Sequence, residues 1–289
     1  MKQIAIVSGK GGTGKTVIAS ALSGLAGKSA VMVDCDVDAP DLHLILTPKI
    51  IEEKEFYAGK VASIDADKCT KCGKCLEKCR FDAISEDFVI DPISCEGCGV
   101  CYRICPAGAV KLTEKLSGRY FLSDTRFGPM VHAMLGIAEE NSGKLVSLVR
   151  RRAVEIAKEK KLEYVLIDGP PGIGCPVIAA ITGVDLVLVV TEPTLSGIHD
   201  LERIVELARK FKIKTNVCIN KYDINFENSK AIEEYCNDKK INVIGKMYYN
   251  NEVTKAMMNR KTILEYSPGS EISREIKNVW NKIAGKKVK

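Results

Sequence analysis

The chain has 289 residues, 46% hydrophobic and 28% charged, enough to bury one large core or a core plus a small module, which excludes a disordered polypeptide. Its formal charge of +6 lies partly in helix-like or terminal runs (Arg150-Arg151-Arg152, Lys158 to Lys161, Lys286-Lys287) that read as solvated faces, so no nucleic-acid partner is expected. Met1 to Val7 leads directly into a glycine loop with no room for a signal peptide, and the longest apolar stretch, Val177 to Val190, is broken by Thr182, Gly183 and Asp185. A cytoplasmic protein without a membrane span is expected, and there the 12 cysteines argue for metal rather than disulfides.

The first predicted strand, 3–7, carries Ile4-Ala5-Ile6-Val7. Behind it, Gly9-Lys10-Gly11-Gly12-Thr13-Gly14-Lys15-Thr16 fits G-x4-G-K-[ST] completely, and Val17 to Ala26 reads as a helix. In such a loop the backbone N–H groups of Gly11, Gly12, Thr13 and Gly14 turn toward phosphate, Lys15 reaches the terminal phosphates and the Thr16 hydroxyl is offered to Mg²⁺. A second strand, 30–34, ends in Asp34-Cys35-Asp36-Val37-Asp38, followed by Asp41. Carboxylates crowded beside a phosphate site repel one another unless a cation intervenes. For Asp38 and Asp41 a helix-capping turn is the alternative reading.

Next come two matched cysteine blocks, Cys69-x2-Cys72-x2-Cys75-x3-Cys79 and Cys95-x2-Cys98-x2-Cys101-x3-Cys105-Pro106, set at a constant offset of 26 residues. Soft thiolates at this spacing suit iron–sulfur clusters: three sulfurs bend round one cube and the fourth cysteine crosses to the other. The expectation is two 4Fe-4S clusters, one on Cys69, Cys72, Cys75 and Cys105, the other on Cys95, Cys98, Cys101 and Cys79. Zinc is the alternative, since paired C-x-x-C units also build tetrahedral sites. With about −2 on each oxidised cluster the net charge falls to about +2.

Beyond the blocks, strands are predicted at 130–135, 163–168, 185–190, 215–219 and 241–244, and helices at 144–160, 198–211 and 270–284. Asp168 ends the strand Tyr164-Val165-Leu166-Ile167 and suits a Mg²⁺ shell, with Gly169-Pro170-Pro171-Gly172-Ile173-Gly174 after it. Asn220 opens Asn220-Lys221-Tyr222-Asp223 and is expected to place an amide near a nucleotide base; Asp223 keeps GTP open beside ATP. Strands alternating with helices predict an α/β fold, a doubly wound and mostly parallel sheet with an inserted small α+β module: 1–60 and 117–289 for the sheet, 61–116 for the insertion. Ile272, Ile276, Val279, Trp280 and Ile283 share one face of the last helix, which suits packing on the sheet and, as the lesser alternative, a membrane surface.

Lys10 inside the glycine loop, the Asp34-to-Leu42 segment and the Gly/Pro loop after Asp168 together resemble the deviant P-loop ATPases of the MinD/Mrp and nitrogenase iron protein type, here with an inserted two-cluster ferredoxin module. The resemblance implies a homodimer, or a dimer with a related ATPase, in which Lys10 reaches the partner's ATP. It also implies that Asp34 organises Mg²⁺, that Asp36 orients the attacking water, and that Asp36 and Asp168 lie in two switches. Cys175 stands where the iron protein places a ligand for an intersubunit cluster. The expected function is an ATP-hydrolysing iron–sulfur protein whose nucleotide state gates electron transfer to, or maturation of, a redox or metalloprotein partner. A metal carrier and a spatial-positioning ATPase are the alternatives.

Overall fold

The computed structural model describes residues 1–136 and 142–285, so the Lys286-Lys287 run lies outside the described residues. The first half runs β1 (Lys2–Ser8), α1 (Lys15–Ala26), β2 (Ala30–Asp34), α2 (Leu42–Leu46), β3 (Lys49–Ile64), α3 (Lys74–Lys78), α4 (Val100–Ile104), β4 (Val110–Thr125) and β5 (Gly128–Leu135). The second half runs α5 (Ser142–Glu159), β6 (Tyr164–Pro171), α6 (Cys175–Ile181), β7 (Leu186–Thr191), α7 (Leu195–Lys210), β8 (Lys214–Asn220), α8 (Phe226–Asp238), β9 (Asn242–Met247), α9 (Asn251–Met258), α10 (Ile263–Tyr266) and α11 (Glu271–Ala284).

The nine strands form one sheet in the order β3-β4-β5-β2-β6-β1-β7-β8-β9. The pairs from β5 through β9 are parallel. Only Arg126 and Phe127 separate β4 from β5, too short a connection for a crossover, so these neighbours run antiparallel. β1 lies in the interior of the sheet, between β6 and β7, where Ile4 to Val7 are buried on both faces. Alternation then divides them: Ile4 and Ile6 join the core built with α1, α10 and α11, while Ala5 and Val7, equally buried, face the opposite side.

The chain packs as two compact units. One contains Met1–Lys54, Tyr120–Met134 and Ser142 onward; the other contains Glu55–Arg119 and the chain from Leu135. The boundaries fall inside β3 and β4, 16-residue strands absent from the sequence reading. Their many exposed polar residues hide the alternation that marks a strand. The sequence reading likewise ends a strand at Asp168, yet β6 continues to Pro171, where Pro171 pairs with Ser8 and Gly172 N donates to Ser8 O at 2.9 Å.

One surface reading needs correction, and the packing expected of the last helix is observed. Arg150 is no solvated residue: its guanidinium donates to Ala179 O at 2.6 Å and Thr182 O at 2.8 Å, the free carbonyls at the end of α6, and to Gln3 Oε1 at 3.1 Å. The apolar stripe of α11 is buried, with Trp280 edge-on to Tyr164 at a centroid distance of 5.0 Å, which leaves no apolar face there for a membrane. No helix among the described residues is long and apolar enough to cross a membrane. Trp280→Ala should lower unfolding stability by about 3–5 kcal/mol, as large-to-small core changes do, measured by urea denaturation. A loss under about 1 kcal/mol would mean that α11 does not close the core.

Candidate functional site

Asp34 and Asp168 meet because of strand register. Asp34 on β2 lies opposite Asp168 on β6, and Asp168 lies opposite Ile6 on β1, so both acids arrive beside the start of the loop. Lys15, in the first turn of α1, reaches the second of them. Its Nζ pairs with Asp168 Oδ1 at 2.8 Å, both side chains nearly inaccessible, and also donates to Thr16 Oγ1 at 3.3 Å. Burial pulls the Lys15 ammonium down, but Asp168 first, then Asp34 and Asp36, outweigh it and hold the pKa above the ordinary lysine value.

Asp34 experiences the opposite balance. Burial and the neighbouring Asp168 push it well above the usual carboxylate range, against Lys15 and two backbone donors, Asp36 N and Leu42 N, each at 3.1 Å. The Leu42 bond means that Asp34 serves the N-terminus of α2. Asp38 and Asp41, the residues read as caps, make no such bond: Asp41 occupies the cap position without a side-chain hydrogen bond. Asp36 is half-buried and raised chiefly by burial. Three acids against one lysine leave an excess of negative charge that a divalent cation would balance.

A cavity of about 630 Å³ opens over this group, a size suited to a small-molecule ligand. Its walls include Gly11, Gly12, Thr13, Gly14, Lys15 and Thr16, with Asp36, Pro170 and Asn220. The buried Thr13 Oγ1 has no hydrogen-bond partner among the described residues, as fits a loop that receives an oxyanion. Asn220 lines the cavity, and one hydrogen of its amide Nδ2 goes to Thr13 O at 2.8 Å and so fastens the loop. It fits there because Gly14, at φ 91, has no Cβ to strike it. Asp223 accepts from Tyr249 N at 2.6 Å.

Lys10 neither floats in solvent nor stands alone. Its Nζ pairs with Glu192 Oε1 at 2.7 Å and donates to Thr194 Oγ1 and Ser196 Oγ, both at 3.1 Å. Lys221 reaches the other oxygen of Glu192 at 2.9 Å and donates to Gly12 O at 3.1 Å. Burial raises the Glu192 carboxyl, but the hydrogen bonds from both lysines bring it below the usual range. Sequence reasoning missed Glu192 and Lys221. Glu192 did carry a signal: an acid just past the carboxyl end of a strand, much as Asp34 ends β2.

The second unit repeats itself in three dimensions at the offset seen in sequence. Asp65 N donates to Ala109 O and Asp91 N to Ala83 O, both at 2.8 Å, so each half closes on the other. Cys69 N to Asp65 O at 3.0 Å is matched by Cys95 N to Asp91 O at 3.1 Å, and α3 and α4 each start behind a left-handed glycine, Gly73 and Gly99. One cavity is walled by Cys69, Cys72, Cys75 and Cys105; a second is walled by Cys95, Cys98, Cys101 and Cys79, and Cys75 lines that one as well. Gly97 lies so close to Lys60 O that any side chain there would collide. N–H donors already face two sulfurs: Ala109 N to Cys105 Sγ at 3.3 Å and Ala62 N to Cys95 Sγ at 3.5 Å. Against the cost of burial, backbone donors led by Ala109 and Ala107 lower the Cys105 thiol. Among the described residues no group of three or more His, Cys, Asp or Glu is placed to chelate a single metal ion, so the fit to clusters rests on the two cavities.

The remaining cysteines divide by burial. Cys35, Cys218 and Cys236 are enclosed, with the Cys218 thiol pushed up to about 12 and that of Cys236 to about 11 by burial, and behave as small apolar residues. Cys175 is exposed at the first turn of α6.

A family model described as the CobQ/CobB/MinD/ParA nucleotide binding domain matches residues 4–263. An uncharacterized protein of Methanocaldococcus jannaschii is 36% identical over 283 residues, covering 97% of this chain and 96% of its own. The MinD structure of Pyrococcus horikoshii, solved with Mg-ADP, superposes with a TM-score of 0.59 at 16% identity, over 98% of this chain and 95% of that one. A stretch of 56 residues, 18% of this chain and 9% of the relative, is 43% identical to the indolepyruvate oxidoreductase subunit IorA of Methanothermobacter marburgensis.

Asp34 yields a prediction with a definite sign. Because its folded-state pKa is raised, the folded protein binds more protons than the unfolded chain, so stability falls as pH rises from the ordinary carboxylate range through the raised value. Asp34→Asn keeps an acceptor oxygen and removes the titration. In nucleotide-free protein its melting temperature should gain on the wild type with rising pH; parallel profiles would refute the assignment.

Proposed function

The chain belongs to the CobQ/CobB/MinD/ParA family of nucleotide-binding domains, and from that premise we propose that it is a Mg²⁺-dependent ATPase carrying two 4Fe-4S clusters, whose nucleotide-switched dimer gates electron transfer to, or maturation of, a partner metalloprotein. The observation that carries this reading is the pair of cysteine-walled cavities, each with the crossed set of four thiols, in the chain that also holds a phosphate-loop cavity. The stretch similar to an oxidoreductase subunit agrees with redox work. Clusters bound there would supply one-electron transfer at low potential.

In this reading Lys15 leaves part of its pairing with Asp168 to meet the terminal phosphates, and Thr16, Asp34 and Asp168 provide oxygen ligands for Mg²⁺. The amides of Gly11 to Thr16 hold the phosphate chain, as fits a fold shared with the Pyrococcus protein that was solved with Mg-ADP. Asp36, which lines the cavity and forms no ion pair among the described residues, orients the attacking water. The bond from Gly172 N to Ser8 O ties the loop after β6 to the strand before the glycine loop, so a phosphate that reshapes one also shifts the other. Lys10 must leave Glu192 before it can reach a partner's nucleotide.

Anaerobically purified protein should hold about eight irons per chain. Cys105→Ser should remove the cluster of the first cavity and Cys79→Ser that of the second, distinguishable by electron paramagnetic resonance of the reduced protein. Stoichiometric zinc in place of iron after anaerobic reconstitution would overturn the cluster assignment.

For the nucleotide, Lys15→Ala should weaken ATP binding by at least about 100-fold in calorimetry, the loss of a charged contact to phosphate. Protonation of the already raised Asp34 lets that variant fold. Asp36→Ala should keep affinity within a few-fold yet slow turnover by about 100-fold or more, with a nucleotide-bound dimer accumulating in size-exclusion chromatography. Unchanged turnover in Asp36→Ala removes its role.

A further inference from the structure

The two cysteine blocks match in ligands and backbone but not in charge. In residues 66–80 stand five cations, Lys68, Lys71, Lys74, Lys78 and Arg80, against Asp67 and Glu77; the corresponding residues 92–106 hold one acid, Glu96, and one base, Arg103. At the offset of 26 the five cations fall on Ser94, Gly97, Val100, Ile104 and Pro106, every one uncharged. The backbone requires no such contrast, since both halves make the same closing hydrogen bonds.

All five cations are exposed. Lys78 pairs with its neighbour Glu77 at 2.8 Å, while Lys71 and Lys74 form no ion pair among the described residues. Lys74 lines the first cysteine cavity itself. An open groove of about 260 Å³ adjoins that cavity, sharing Ile64, Cys69 and Phe88 with it, and is lined by Lys71 and Asp87 and by Val89, which is 64% exposed. Lys71 on the groove and Lys74 on the cavity thus place two exposed cations beside an apolar-floored groove that reaches Cys69 of the first block, with Asp87 as the groove's acid, while Lys78 lines the second cavity.

We propose that this basic face of the first block is the docking surface for an electron-carrier protein with an acidic surface, and that the first cavity's cluster is the one that exchanges with it. The inference rests on the cluster reading given under the proposed function. Charge complementarity selects the occupant: opposite fields steer encounter and fix orientation, and the groove offers apolar contact once the charges meet. In the exchange one electron leaves the reduced centre of this protein and one is gained by the carrier, which, if a flavin, takes any proton from solvent. The second block presents apolar Val100 and Tyr102, both exposed, and no comparable charge.

The test uses whole, anaerobically reduced protein in stopped flow with two one-electron acceptors of opposite surface charge, an acidic flavodoxin and the basic cytochrome c. For the wild type the flavodoxin rate should fall with rising salt. Lys68→Glu, Lys71→Glu and Lys74→Glu together should lower that rate by about tenfold or more at low salt and raise the cytochrome rate. The milder pair Lys71→Gln and Lys74→Gln should give the same signs with smaller size, which guards against misfolding of the charge-reversed protein. If both rates move together, the lysines tune the cluster and dock nothing, and the proposal fails; it fails equally if the variants lose iron that the wild type holds. Wild-type protein that takes up no iron overturns the cluster reading itself, and the docking inference with it.

Discussion

The buried pair between Lys15 and Asp168 is the contact on which the nucleotide cavity depends. A lysine and an acid removed from water each carry a desolvation cost of several kcal/mol, which their mutual attraction offsets only with good geometry. The geometry here comes from three parallel strands in fixed register, which set Asp34, Asp168 and the start of the glycine loop side by side. Lys15 is therefore compensated before any ligand arrives, and Asp34 carries the unmet part of the charge as a raised pKa. An incoming phosphate and cation would exchange one set of charges for another rather than create a new one. Such a site is poised between two electrostatic arrangements, the requirement for a switch.

A second cluster of charge holds the far side of the loop. Glu192 sits between Lys10 and Lys221, and Lys221 in turn holds Gly12 O, so three strand ends converge on the loop from β1, β7 and β8. With Asn220 on Thr13 O, the loop's carbonyls point outward to the scaffold, which leaves its N–H groups free to turn toward the cavity. Lys10 is held by Glu192, Thr194 and Ser196 of its own chain. Any role for Lys10 across a dimer competes with its three partners within its own chain.

The cysteine unit obeys a different constraint. Two copies of one short pattern close on each other through reciprocal backbone bonds, and that exchange carries Cys79 and Cys105 to the cavity opposite their own block. Divergence of the copies then separated charge from geometry, since surface residues at matched positions are unconstrained by the closing bonds. Iron–sulfur chemistry remains our reading of these cavities, and its strength lies in donor type and in crossed sets of four.

Much of this was legible in the amino-acid order, because it is local. The glycine loop, the central apolar strands and the two cysteine blocks are specified by residues within about one turn or one strand of each other, so type and spacing suffice. Strand register, by contrast, is a property of pairs distant in sequence: nothing near Asp34 announces that it will face Asp168 or cap α2. Glu192 and Lys221 were opaque for the same reason, as was Arg150, whose partners are carbonyls near the end of α6 and Gln3 on β1. The long strands β3 and β4 escaped because their faces are largely solvated, and period-two patterning appears only where one face is buried. The sequence by itself determined which chemical groups this protein possesses; the tertiary structure decided which of them face one another, because contact between remote residues is set by the pairing of strands and not by their order along the chain.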